Sequence, residues 1–263
     1  MRLIATLLFA ALLVFGIWSF VDSETFLLGP TPEGYSWWWP EYTSTFGGDI
    51  DFLFTFISWL ILVFFVGTMG ALIMFVFKYS KKREGKAVFS HGNHKLEMIW
   101  TGIPAALLLI IAFMQMTTWA DIKFAGATAG KQLFAEVFAS QFDWRFRYPG
   151  IDGRFGTADD IESVYEFVVP VDEDIVFNLR SHDVLHSFFV PVLRLKQDAV
   201  PGMTIPVWFN SMEEGTFDLI CAELCGWGHY KMAGRITVVS RAEFDQWIVD
   251  KTAEKYSNGQ ENQ

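Results

Sequence analysis

Two cysteines are all that this 263-residue chain contains, and it has only five histidines. So few cysteines exclude a small domain stapled by many disulfides. Neither cysteine opens a C-x-x-C-H run, so no c-type haem is attached to this chain. Positive charge is scarce as well: 20 Lys and Arg stand against 30 Asp and Glu, a net charge of −10. That balance disfavours nucleic acid as a partner and could attract a basic protein, and solubility alone explains it equally. The excess is uneven, because from Asp121 onward 22 acidic residues face 13 basic ones, net −9. Charge is missing altogether from two long runs, Phe52 to Phe77 and Met98 to Ala120.

What fills those runs is apolar. The chain is 52% hydrophobic, with 27 Phe and 11 Trp, which fits membrane segments joined to a charged soluble part. The runs are 26 and 23 residues long, and a membrane-spanning helix needs about 20. Pro104 falls early in the second run, where a missing N–H costs least. Between the runs lies "KYSKKREGKAVFSHGNHK", with Lys78, Lys81, Lys82, Arg83, Lys86 and Lys95. Such a short basic loop belongs on the cytoplasmic side, which exports the acidic C-terminal part. "SWWWPEY", from Ser36 to Tyr42, suits the outer membrane interface. Leu3 to Val21 reads either as a signal peptide or as a third helix entering from inside. With no small-x-small cleavage site visible, a retained helix is the expectation.

From Lys131 the pattern changes to short β-branched and aromatic runs. They are "QLFAEVFASQFDWRFRY", "SVYEFVVP", "DIVFNLRS", "HSFFVPVLRL", "TIPVWFN", "GTFDLICAEL" and "GRITVVS". Seven such runs separated by turn residues predict a small β-sandwich or barrel. "SRAEFDQWIVDKTAEKY" has Ser240 followed by Glu243 and an apolar face of Phe244, Trp247 and Ile248, so it predicts a terminal helix. The expected organisation is therefore an N-terminal apolar segment and outer loop at 1–50, a transmembrane helical hairpin at 51–120, and an exported domain at 121–263. In "YPGIDGRFGTADDIES", Asp152, Asp159 and Asp160 alternate with glycines. They could wrap a calcium ion, but the spacing matches no EF-hand and a solvated hairpin tip explains it equally.

Both cysteines sit in "CAELCGWGHYKM", spaced as Cys221-x3-Cys225-x3-His229-x2-Met232, and "SHDVLHSFFVP" upstream offers His182 and His186. A disulfide and a zinc site with two Cys and two His are both open on this spacing. Met232 favours copper, because thiolate, imidazole and thioether together make a copper electron-transfer set. With two thiolates, the inventory fits a dinuclear centre better than a mononuclear one.

"SHDVLHSFFVPVLRLKQDAVPG" followed by "CAELCGWGHYKM" resembles the copper-binding signature of subunit II of the haem–copper cytochrome c oxidases, and "LEMIWTGIPAALLL" resembles the start of that family's second membrane helix. The resemblance implies a cupredoxin-like β-sandwich outside the membrane, carrying the dinuclear copper centre called CuA. It implies His186, Cys221, Cys225, His229 and Met232 as ligands, with Glu223 giving its backbone carbonyl and its carboxylate holding Mg2+ at the interface with subunit I. Asp183 resembles a family residue near the site, whereas His182 matches no ligand. His91 and His94 lie on the cytoplasmic loop, and Glu97 matches the entrance of a proton path into subunit I.

"ASQFDWRFRYPG" resembles the aromatic strand through which electrons enter, with Phe142 where the family has its first Trp. Trp144 and Phe146 follow at alternate positions, expected on the same strand face. Phe142 and Trp144 are thus the candidate electron-entry residues, and the substitution raises the idea of a tethered or complex-bound cytochrome donor. Quinol-oxidising relatives lack the copper ligands that this chain keeps.

The implied function is the electron-entry subunit of a proton-pumping terminal oxidase. It takes electrons from a cytochrome c and passes them to a haem in subunit I, where oxygen is reduced to water. Implied partners are subunit I, other oxidase subunits and membrane lipid. The implied location is the bacterial inner membrane, with the C-terminal domain periplasmic. The CuA subunit of a nitric-oxide reductase and an exported copper carrier are the alternatives.

Overall fold

The computed structural model describes residues 10–18, 40–80, 89–124 and 128–261. The first expected segment lies largely outside them; within it, residues 10–18 are helical (α1). Lys81, Lys82, Arg83 and Lys86 of the basic loop, and most of "SWWWPEY", also lie outside the described residues.

Two long helices follow, α2 (Gly47–Lys78) and α3 (His94–Lys123), and both are long and apolar enough to cross a membrane. Each runs a few residues past its uncharged stretch. Asp49 lies in the first turn of α2 and Lys78 in its last, and Glu97 and Lys123 are placed likewise in α3. Each charge opposes the partial charge of the nearby helix end. The start of α3 is fixed by Asn93, whose Oδ1 accepts from the N–H groups of Lys95 and Leu96 at 3.1 and 3.2 Å. Because α3 begins at His94, Pro104 lies inside the helix rather than in its opening turns. Almost no side chain of either helix is buried within the protein, as expected of surfaces that face lipid.

The chain divides into two units, one of 1–39 and 49–118, the other of 40–48 and 119–263. The second unit is a two-sheet β-sandwich. Its strands are β1 (Ala135–Ser140), β2 (Asp143–Tyr148), β3 (Ile161–Val164), β4 (Glu166–Pro170), β5 (Ile175–Ser181), β6 (His186–Val190), β7 (Leu195–Ala199), β8 (Ile205–Phe209), β9 (Gly215–Cys221) and β10 (Ala233–Val239). One sheet has the order β3-β2-β1-β5-β8 and the other β4-β10-β9-β6-β7. β1 pairs with β5 and β4 with β10 in parallel, while the other pairs are antiparallel. Ten strands replace the seven expected runs because three runs break in two. One turns back at Gln141-Phe142, one switches sheets at Tyr165 (φ 67°), and one is interrupted by a 3-10 turn ending at Arg194 (φ 52°).

Between the sheets lies an aromatic core. Phe146 stacks on Phe167 at 4.8 Å, Phe167 meets Phe177 at 5.7 Å, Phe177 meets Phe188 at 5.0 Å, and Phe188 meets Trp144 at 5.6 Å. All five are fully buried, and each such ring contributes about 1.5–3 kcal/mol by leaving water. Tyr148 ties the sheets together: its hydroxyl donates to the Val168 carbonyl at 3.0 Å and accepts from the Val168 N–H at 2.8 Å. Helix α4 (Arg241–Glu261) packs Phe244 and Trp247 against Phe134 and Tyr148.

A short strap ahead of α2 belongs to this unit. Thr43 N–H donates to Val192 O at 2.8 Å, Ser44 Oγ to Leu193 O at 2.8 Å, and Met212 N–H to Thr43 O at 2.7 Å. Phe46 meets Trp208 edge to face. Both Ser44 and Phe46 are buried.

Candidate metal centre

Three turns meet at one end of the sandwich. The β9–β10 connection carries Cys221 to Met232, the β5–β6 turn carries Asp183 and leads into His186, and the β1–β2 turn carries Gln141 and Phe142. β6 and β9 are paired with Phe188 opposite Cys221, which sets His186 beside the end of β9. The Cys221 N–H donates to the Met232 carbonyl at 3.1 Å, so the first and last residues of the loop close its mouth.

Within that frame the donors converge. The sulfurs of Cys221 and Cys225 lie 3.9 Å apart and both cysteines are free thiols, far from the ~2.05 Å of a disulfide. Cys221 Sγ is 3.9 Å from His186 Nδ1 and 3.2 Å from the Glu223 carbonyl. Cys225 Sγ is 3.6 Å from His229 Nδ1 and 3.7 Å from Met232 Sδ. Two sulfurs at the centre, each with an imidazole and one weaker donor, make a soft ligand set that fits copper. Burial, with Cys221 beside it, pushes the Cys225 thiol up to about 11. A cation binding here therefore displaces protons.

Asp183 organises one flank. Its Oδ1 is 2.7 Å from His186 Nε2 and accepts from the Val184 N–H, while Oδ2 accepts from the Gln141 N–H at 2.7 Å. Burial works against its charge, but these hydrogen bonds hold the carboxyl below the usual range. With Nε2 on the carboxylate, Nδ1 keeps its lone pair toward the thiols, the arrangement by which a carboxylate orients a metal-binding histidine. The Gln141 side-chain amide in turn donates to the Cys225 carbonyl. Phe142 lies against the loop backbone: a Cβ added at Gly228 would come within 2.5 Å of its ring. Gly226 takes φ 135°, a conformation open to glycine and strained for other residues.

The remaining expected residues fall elsewhere. Trp144 is fully buried, its ring 6.4 Å from that of His186, whereas Phe142 sits in the turn before β2 and not on the strand face of Trp144 and Phe146. His182 stacks on Phe138 and is no part of the donor cluster. Glu223 is half-buried. Glu97 lies in the first turn of α3, 3.4 Å from His94. Asp152, Asp159 and Asp160 accept from the loop's own Arg154, Asp152 and Gly156 N–H groups. Among the described residues, His186, Cys221 and Cys225 are the one group of three His, Cys or carboxylate donors within 4.8 Å of one another. No pattern along the chain points to Gln141, which acts across the fold, and the sequence signal for Trp227 is its place between two glycines and two donors.

Comparison with known proteins places the chain in a family. Residues 138–240 match the family model for the periplasmic domain of cytochrome c oxidase subunit II, and residues 37–117 match the model for its transmembrane domain. The alternative cytochrome c oxidase subunit 2 of Bradyrhizobium diazoefficiens is 30% identical over 81% of this chain and 83% of its own length. The chain belongs to the cytochrome c oxidase subunit II family. It is also 38% identical to cytochrome c oxidase subunit 2 of Alkalihalophilus pseudofirmus, over 62% of this chain and 46% of that one. Among solved structures, the periplasmic domain of subunit II of the cytochrome oxidase of Bradyrhizobium japonicum matches with a TM-score of 0.42 and 29% identity, covering 46% of this chain and 94% of that one. As a subunit II, the chain is part of a haem–copper oxidase, anchored by α2 and α3, with a copper site in its β-sandwich.

Proposed function

We propose that the site is the dinuclear centre CuA, held by His186, Cys221, Cys225, His229, Met232 and the Glu223 carbonyl. The observation that carries this reading is the pair of free thiols 3.9 Å apart, each with its own imidazole nitrogen. Bound there, the copper pair supplies a one-electron carrier that changes little in geometry between its two states. The chain's own contribution is to fix that geometry: Asp183 orients His186, and Gln141 and Phe142 hold the loop.

In this reading the subunit accepts electrons from a cytochrome c at the aromatic rim around Phe142, with Trp144 in the core behind it. It passes them to a haem in subunit I, which reduces oxygen to water and pumps protons. Glu97, at the far end of α3, is the proposed entrance of the proton path. The Glu223 carboxylate is the proposed Mg2+ ligand where subunit I seats.

The start of α2 and the end of α3 join one folded unit, which supports a hairpin whose two ends emerge on the same side of the membrane. The basic connection at the other end belongs inside, so the β-sandwich is periplasmic and the membrane is the bacterial inner membrane. The test is electron paramagnetic resonance with metal analysis on the purified oxidase. Two coppers per chain with hyperfine structure shared over both nuclei is the expected result. A single localised copper, or zinc, overturns the reading.

A further inference from the structure

The middle of the metal-binding loop is Gly226-Trp227-Gly228. Trp227 is 78% exposed, although an indole gains by leaving water. Of the other rings about the site, Trp144 and Phe188 are fully covered and Phe142 in part, while Tyr230 is as exposed as Trp227. Trp227 is nonetheless held. Its ring meets Phe142 edge to face at 5.3 Å, and Lys231 Nζ lies 4.8 Å from its centroid on a ring face. Phe142 rests in turn on Gly226 and Gly228. Contact is thus continuous from the exposed indole, through Phe142, to the peptides that join Cys225 to His229. Along the chain, Trp227 is two residues from each of these donors.

We propose that Trp227 is the residue through which the haem edge of a c-type cytochrome delivers its electron, an assignment that rests on the copper reading above. A planar, apolar, fixed ring at the surface suits the exposed edge of a haem. The net charge of −9 from Asp121 onward suits a donor whose haem edge is ringed by basic residues. The step moves one electron: the donor's iron goes from ferrous to ferric, the site gains the electron, and no bond or proton changes.

The experiment compares the purified oxidase with its Trp227→Ala and Trp227→Phe variants, using reduced monohaem cytochrome c as the probe. It reads the single-turnover rate of copper reduction, the resonance signal and the copper content. Expected for Trp227→Ala is an unchanged signal with a rate lower by about tenfold or more, the scale of truncating an aromatic anchor. Trp227→Phe should lose less, and ascorbate with a small mediator should be affected far less than the cytochrome. An unchanged rate in Trp227→Ala overturns the assignment, as does loss of the copper signal in both variants, which would make the indole part of the site's structure. A wild-type oxidase that the cytochrome does not reduce also overturns it. A wild-type oxidase without the shared copper signal fails earlier and on a separate readout, taking down the copper reading itself.

Discussion

At the scale of single residues, Asp183 braces the site from behind its donors. Its two oxygens accept from three N–H groups, those of His186, Gln141 and Val184. An amide in its place must turn its NH2 toward at least one of these donors, so Asp183→Asn breaks an accepted bond and loses the charge that fixes the imidazole. The expected result is copper held 10- to 100-fold less tightly, about the effect of losing such a partner, measured as loss to a graded chelator. Copper retention equal to wild type would remove Asp183 from this role. The cluster of candidate donors in the loop was legible in the sequence because its spacing is local. The brace around it was not. Gln141 reaches Asp183 across 42 residues and Cys225 across 84, and no pattern along the chain announces such a meeting.

At the scale of elements, the apolar runs and the terminal helix were legible because each carries its own periodicity and caps. The strand count was not, since Tyr165 and Arg194 adopt positive φ without being glycine or asparagine, and the breaks they make look like continuous strand. Helix α4 begins in a reciprocal cap: Ser240 Oγ accepts from the Glu243 N–H, and the Glu243 carboxylate accepts from both the hydroxyl and the N–H of Ser240. These bonds lower the Glu243 pKa. Its folded value is below its unfolded value, so its stabilisation is present above the unfolded value, near 4.3, and is lost as pH falls through the folded one. Protection of the α4 amides, taken relative to each amide's intrinsic rate at the same pH, should therefore fall as pH drops below the ordinary glutamate value. Ser240→Ala should weaken the helix by about 1 kcal/mol and flatten that dependence. Exchange that ignores both changes would mean the cap does not hold α4.

At the scale of the whole molecule, residues 40–48 and 119–263 form one folded unit although a membrane hairpin separates them in sequence. A fragment starting at 119 lacks Phe46, whose loss alone should cost about 3 kcal/mol. Its denaturation midpoint should rise when a peptide of residues 40–48 is added, and a midpoint indifferent to the peptide would count against the strap. The same feature has a consequence in time. Ser44 is synthesised 149 residues before Leu193, whose carbonyl it bonds. At ribosomal speed that is a wait of about 7–30 s. The earliest part of the domain to be made thus waits for partners made long after it. A nascent chain that stalls before residue 193 already has both spanning helices, yet leaves Phe46 unclaimed, open to the proteases and chaperones that inspect unfinished proteins.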